Sequence, residues 1–222
     1  MVSLLANIGI IFLAFYFYLR SKLGILAYQE NRKISYFIKC VFAEVLLGMI
    51  LLSFSIVIMD IRFDFRFLLF CFSAKYLDWK ITNSSIVLLA ILRFFWGSID
   101  IAQTNLLASI MIAVTLPLLV HYTKDKMSDL SQLLILVTIS IIPTILITNH
   151  VIADKSLVLT IGLMLFACGY AATFIMYHFI TDLYSLIASA NTDDLTTLKN
   201  GRTFNAKLLE IERNMQSVTV AM

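Results

Sequence analysis

Two ionisable side chains, Glu44 and Arg93, stand inside long apolar runs, and a third group of charges alternates with apolar residues in Asp60-Ile61-Arg62-Phe63-Asp64-Phe65-Arg66. An ionised side chain at the middle of a membrane helix costs about 2.5–3.5 kcal/mol on insertion scales, so such groups need partners or a site to line. Mixed Asp and Arg side chains recognise ligands through ion pairs and charge-assisted hydrogen bonds. The chemistry on offer is therefore binding of a small polar ligand rather than bond breaking. If residues 60–66 are extended, the two-residue spacing sets Asp60, Arg62, Asp64 and Arg66 on one side and the Ile and Phe side chains on the other. Arg93 is expected to face this cluster. The first reading of the five residues together is an interhelical salt-bridge network that only holds the bundle together; the alternative is a partly dry sensing pocket. Glu44 lies about seven residues into its run, roughly 10 Å deep, and Arg93 twelve residues into its own, roughly 18 Å. That gap is an uncomfortable one for a direct pair.

The elements that must position these charges are membrane helices. Of 222 residues 60% are apolar and only 14% charged, against roughly 45–50% and 25% in soluble domains. With 7 Gly and 2 Pro, long helices are permitted. Apolar segments near the 17–25 residues that cross a bilayer run over about 2–19, 37–59, 104–121, 132–148 and 156–180. The region between the second and third divides at the polar break Lys75 to Lys80 into two shorter runs, 63–77 and 81–97. The count is about seven spans, with six as the rival, in an all-α membrane bundle. Most Lys and Arg fall on one side of such a bundle, which the positive-inside rule makes cytoplasmic. The N-terminus is then outside and the C-terminus inside a multi-pass cell (inner) membrane protein. Pro117 and Pro143 fall inside two spans, where each removes a backbone hydrogen bond. Cys40, Cys71 and Cys168 lie in apolar runs without metal-like spacing and read as buried small hydrophobes. His121, His150 and His178 are isolated, and nothing points to a metal or a nucleic acid.

The tail breaks this pattern. Asp193-Asp194-Leu195-Thr196-Thr197-Leu198-Lys199-Asn200-Gly201-Arg202-Thr203-Phe204 resembles the opening of a GGDEF domain, the catalytic domain of diguanylate cyclases, which typically begins D-x-L-T-x-L-x-N-x-R-x-F. The resemblance places Asp193, Leu195, Thr196, Asn200 and Arg202 in the turn that joins an input helix to that domain, with Asp193 and Arg202 set to pair. Gly201 departs from the Arg usual beside that Asn. Phe204, Leu208, Ile211 and Met215 then recur at helical spacing, and Val218 and Val220 read as strand. No Gly-Gly-Asp/Glu-Glu-Phe loop, metal-binding Asp pair or Walker loop occurs among the 222 residues. The chain is expected to hold only the start of the domain and to be inactive by itself. Mg and GTP belong to the missing catalytic part. Residues 30–180 also resemble, more loosely, the five-transmembrane LytS/YhcK-type sensor region. The carriers of that resemblance are the Asp-x-Arg loop and Arg93-Phe94-Phe95-Trp96-Gly97. The third-span Gly of that pattern is replaced here by Phe72-Ser73-Ala74-Lys75.

Three units follow: a sensor bundle over 1–180, a juxtamembrane signalling helix over 181–192, and a truncated GGDEF start over 193–222. Met176, Phe179, Leu183, Leu186 and Ala190 step by three and four, an amphipathic seam of about two heptads that would serve a homodimer. The expected function is the membrane-bound sensing region of a diguanylate cyclase, with the lipid bilayer and an unknown small ligand as partners. A small permease-like protein, or the sensor region of a histidine kinase, is the alternative.

Overall fold

The computed structural model describes residues 2–25, 33–58, 61–95 and 98–191, together with Gly201. The apolar runs are helical: α1 (Val2–Ile25), α2 (Lys33–Ser53), α3 (Arg66–Tyr76), α4 (Trp79–Leu92), α5 (Ile99–Thr123), α6 (Asp129–Val151) and α7 (Lys155–Asn191). Between α2 and α3 an antiparallel hairpin of β1 (Ile56–Ile58) and β2 (Ile61–Phe63) pairs Ile56 with Phe63 and Ile58 with Ile61. A 3-10 turn, Arg93–Phe95, extends α4. The polar breaks carry the residues that start helices. Asp78 accepts the Lys80 amide (2.9 Å), Ser128 the Ser131 amide (3.3 Å) and Asp154 the Ser156 amide (2.9 Å), each satisfying a donor the first turn leaves free.

The span count of seven, and its rival of six, are corrected. Among the described residues four helices are long and apolar enough to cross a bilayer: α2, α5, α6 and α7 as far as Leu186. The described apolar part of α1, Leu5–Tyr18, is shorter. With 11 and 14 residues, α3 and α4 extend only about 16 and 21 Å, against a hydrocarbon core of about 30 Å. The second run was also read too long, because α2 stops at Ser53 and Ile56–Ile58 is strand.

The run 63–77 faces protein rather than lipid. From Phe67 to Ala74 all eight consecutive residues of α3 are buried, as a short helix that is apolar on every side must be. It packs against α2, α4, α5 and α6, while Phe15 of α1 meets Phe72 edge-on at 5.4 Å. The long helices turn their apolar residues outward instead, among them Leu107, Val114 and Leu118 of α5 and Leu159 and Leu163 of α7. Such an apolar exterior marks a membrane-associated protein.

Polar ties fix the two ends of this bundle. At one end, Asn7 of α1 is fully buried. Its amide donates to the Phe54 carbonyl (3.0 Å), and its Oδ1 accepts from the Phe65 amide (3.4 Å). One side chain thus clasps the hairpin at both of its roots. At the other end, Lys75 bonds to Asp129 (2.7 Å) and to Gln132, whose amide donates to the Val120 carbonyl (3.1 Å) and Thr123 Oγ1 (2.7 Å). This joins α3 to the connection between α5 and α6.

α7 runs unbroken through residue 180, so span and juxtamembrane segment are one helix. Much of the heptad seam is used within the chain: Met176 is buried, Phe179 lies 5.9 Å from Phe12, and Leu183 is half-buried against the core. Leu186 is exposed. The small residues of α7 divide likewise. A Cβ on Gly169 would meet Phe67 and Ile141 at 3.3–3.4 Å, so Gly169, Ala172 and Thr173 face the core, whereas Ala167 and Ala171 face outward. The tail positions Asp193, Leu195, Thr196, Asn200 and Arg202 lie outside the described residues, as does Asp60.

Candidate functional site

The hairpin end brings together four of the five residues expected to form a salt-bridge network or a pocket. Arg62 comes from β2, Asp64 and Arg66 from the bend into α3, and Arg93 from the 3-10 turn. All four line one cavity of about 80 Å³. A single water needs about 10–15 Å³ of such space, so the cavity holds several waters or a small ligand. Its walls are completed by Asn105 and Ser109 of α5, Ser140 and Thr144 of α6 and Leu165 of α7.

The local backbone explains the convergence. Strand alternation holds only to Phe63, with Ile61 and Phe63 buried and Arg62 turned the other way. Asp64 then ends the strand and accepts both the Arg66 amide (3.0 Å) and Arg66 Nε (2.8 Å) on Oδ1, so the extended reading of 60–66 is corrected at its second half. The carboxylate starts α3 and anchors Arg66 in one contact. Arg62 Nη1 donates to Ser55 Oγ across the hairpin (3.3 Å). Arg93 is only 2% exposed.

Among the described residues these charges do not close into a salt-bridge network. Asp64 Oδ2 and Arg93 Nη1 are both buried without a hydrogen-bond partner, and Arg93 makes no ion pair among the described residues. Three guanidinium groups against one carboxylate leave a net charge of 3 − 1 = +2 on the described lining. Guanidinium groups are planar donors matched to the oxygens of carboxylates and phosphates.

Glu44 forms a separate site. It is 5% exposed in the middle of α2, and its Oε2 accepts the hydroxyls of Ser73 (3.0 Å) and Ser85 (3.1 Å). Thr82 lies 2.8 Å from Ser73 Oγ and extends the chain of hydroxyls. Glu44 and Arg93 make no ion pair with each other, as their depths along the sequence imply.

Sequence reasoning missed Asn7, Ser73, Ser85, Asn105, Ser109, Ser140 and Thr144. The last four had a legible signal: two polar pairs, each four residues apart, on otherwise apolar helices. Among the described residues no group of three or more His, Cys, Asp and Glu side chains is placed to hold a metal ion. No family model, curated protein or solved structure matches this chain.

Proposed function

We propose that the chain is the sensing region of a membrane-bound diguanylate cyclase, and that its cavity at the hairpin end takes a small anion with carboxylate- or phosphate-type oxygens. The observation that carries this reading is α7. It is one continuous helix of 37 residues, about 55 Å long. Leu165 stands in the wall of the cavity, and the helix ends at Asn191, two residues before Asp193. A ligand that draws α3, α5 and α6 inward shifts the helix packed beside them. α7 transmits that shift to the tail resembling a GGDEF opening, where Mg and GTP would act in the catalytic part. The hairpin end is then outside and the opposite, Lys-rich end inside the cell membrane, as the positive-inside rule requires. Two such chains pair through the exposed last turns of α7 around Leu186, bringing two catalytic parts together.

Two experiments test the reading at its two ends. The coding sequence beyond Met222 is expected to continue into an Asp-bearing strand and a Gly-Gly-Asp/Glu-Glu-Phe loop; any other continuation removes the cyclase. Thermal unfolding of the chain in nanodiscs is expected to rise with phosphate or a short dicarboxylate, and Arg93→Ala to abolish that rise. An equal rise in both proteins would sink the anion pocket. A permease reading draws on Glu44, whose buried carboxylate is the kind of group that marks transport routes. It predicts flux of solute into proteoliposomes.

A further inference from the structure

The cleft between α1 and α2 is unlike the anion cavity in every respect. It measures about 660 Å³ and its walls are apolar, with Phe15 and Phe17 on α1, Leu47 and Ile50 on α2 and Leu69 of α3 beneath. That volume is within the range that holds a drug-sized molecule. Glu44 lines this cleft, with only one of its two oxygens satisfied. Oε2 takes both serine hydroxyls, whereas Oε1 is buried and has no hydrogen-bond partner. No basic side chain stands within ion-pair distance of Glu44 among the described residues. Lys39, the basic residue on the cleft lining, is exposed and makes no ion pair with Glu44.

We infer that this cleft is a binding site for a lipophilic amine that enters from the bilayer. Its apolar body lies between α1 and α2, and its ammonium N–H donates to Glu44 Oε1. A buried acid without a counter-ion selects a cation. An oxygen without a donor selects a cation that still carries an N–H. Besides Lys39, the polar side chains on the walls are Ser73, whose hydroxyl is directed at Oε2, Cys40, and the Tyr18 and Tyr36 hydroxyls, which lie 3.3 Å from each other. This site is independent of the anion cavity and of any cyclase output.

The test uses the full chain in nanodiscs, with binding corrected for uptake by empty discs. The probes are 1-naphthylmethylamine, its N,N,N-trimethyl analogue, 1-naphthalenemethanol and 1-naphthoate. The amine is expected to bind about tenfold or more tightly than the alcohol, as a charge-assisted hydrogen bond in a dry site requires. The quaternary analogue falls between them. Glu44→Gln, with its fold verified by circular dichroism and a single size-exclusion peak, reduces the amine to the level of the alcohol. Ala43→Trp fills the cleft while leaving the carboxylate in place, and removes binding of amine and alcohol alike. Equal affinity of the amine for wild type and Glu44→Gln overturns the assignment. So does preference for naphthoate, which would place the head group at Lys39, and so does failure of every probe to bind.

Discussion

The molecule buries charge in two places, and it does so by opposite means. At the hairpin end the backbone is broken three times, by a two-stranded turn, by the bend at Asp64 and by the 3-10 turn at Arg93. Those breaks let side chains from distant parts of the chain converge, and they leave a cavity between unmatched charges. At Glu44 the backbone is unbroken helix on every side, and the carboxylate is met by hydroxyls from α3 and α4. A regular helix spaces its side chains too rigidly to gather several charges, but a serine on a facing helix reaches easily. Irregular backbone at membrane depth is tolerated where it is buried in protein or lines a cavity. Hence the hairpin end gathers several charges around one cavity, whereas the Glu44 site holds a single carboxylate, one oxygen fixed by hydroxyls and the other without a partner.

The largest effect comes from removing Asp64, the one carboxylate on the described lining of the hairpin-end cavity. Asp64→Ala leaves three guanidinium groups around the cavity and takes the acceptor from the Arg66 amide. Breaking a buried pair by deleting one partner costs about 3–5 kcal/mol, and loss of the amide contact adds about 1 kcal/mol. The unfolding midpoint in nanodiscs should fall steeply, and added phosphate should recover part of the loss by supplying the missing negative charge. A drop below about 1 kcal/mol would mean that the guanidinium groups are solvated and the cavity wet.

Next in size is the clasp that holds the hairpin. Asn7→Leu keeps the volume of a buried side chain but orphans the Phe54 carbonyl and the Phe65 amide, at about 1–3 kcal/mol. More telling than the stability is the ligand response. Neither Asn7 nor any of its hydrogen-bond partners lines the cavity, so a weakened anion response in Asn7→Leu would show that hairpin position governs the site. An unchanged response would confine Asn7 to holding α1 in place.

The two regions also differ in how far the sequence discloses them. Arg93 and the 60–66 cluster are legible because charge within an apolar run demands a partner, and alternation advertises a strand. Where that strand stops is not legible, since Asp64 turns the chain by a contact with its own neighbour Arg66 that no periodicity encodes. Phe63–Leu77 reads as a span because hydropathy reports only that a segment avoids water, and buried protein serves as well as lipid. Ile56-Val57-Ile58 was absorbed into the end of a span for the same reason, although three β-branched residues in a row favour strand. Glu44 is legible as a problem, but its solution is not. Ser73 and Ser85 are ordinary residues on other helices, and only the packing of α2 against α3 and α4 brings them to one oxygen.

The smallest effect is expected where the charge is best housed. In Glu44→Gln the amide oxygen takes over the hydroxyls of Ser73 and Ser85, and the amide NH2 group replaces an oxygen that already lacks a partner. Removing a buried charge is favourable, and leaving two N–H groups unpaired is not, so the net change in stability stays within about 1 kcal/mol. A double-mutant cycle resolves what the single substitution hides. Ser85→Ala removes a hydrogen bond to a charged acceptor in the wild type but to a neutral one in Glu44→Gln. Charge-assisted hydrogen bonds are about twice as strong as neutral ones, so the coupling should be about 1 kcal/mol, within the range that contacting residues show. A coupling of zero would mean that Ser85 does not act on the charge of Glu44. The contrast between a housed carboxylate and an unmatched set of guanidinium groups would then fail at its quieter end.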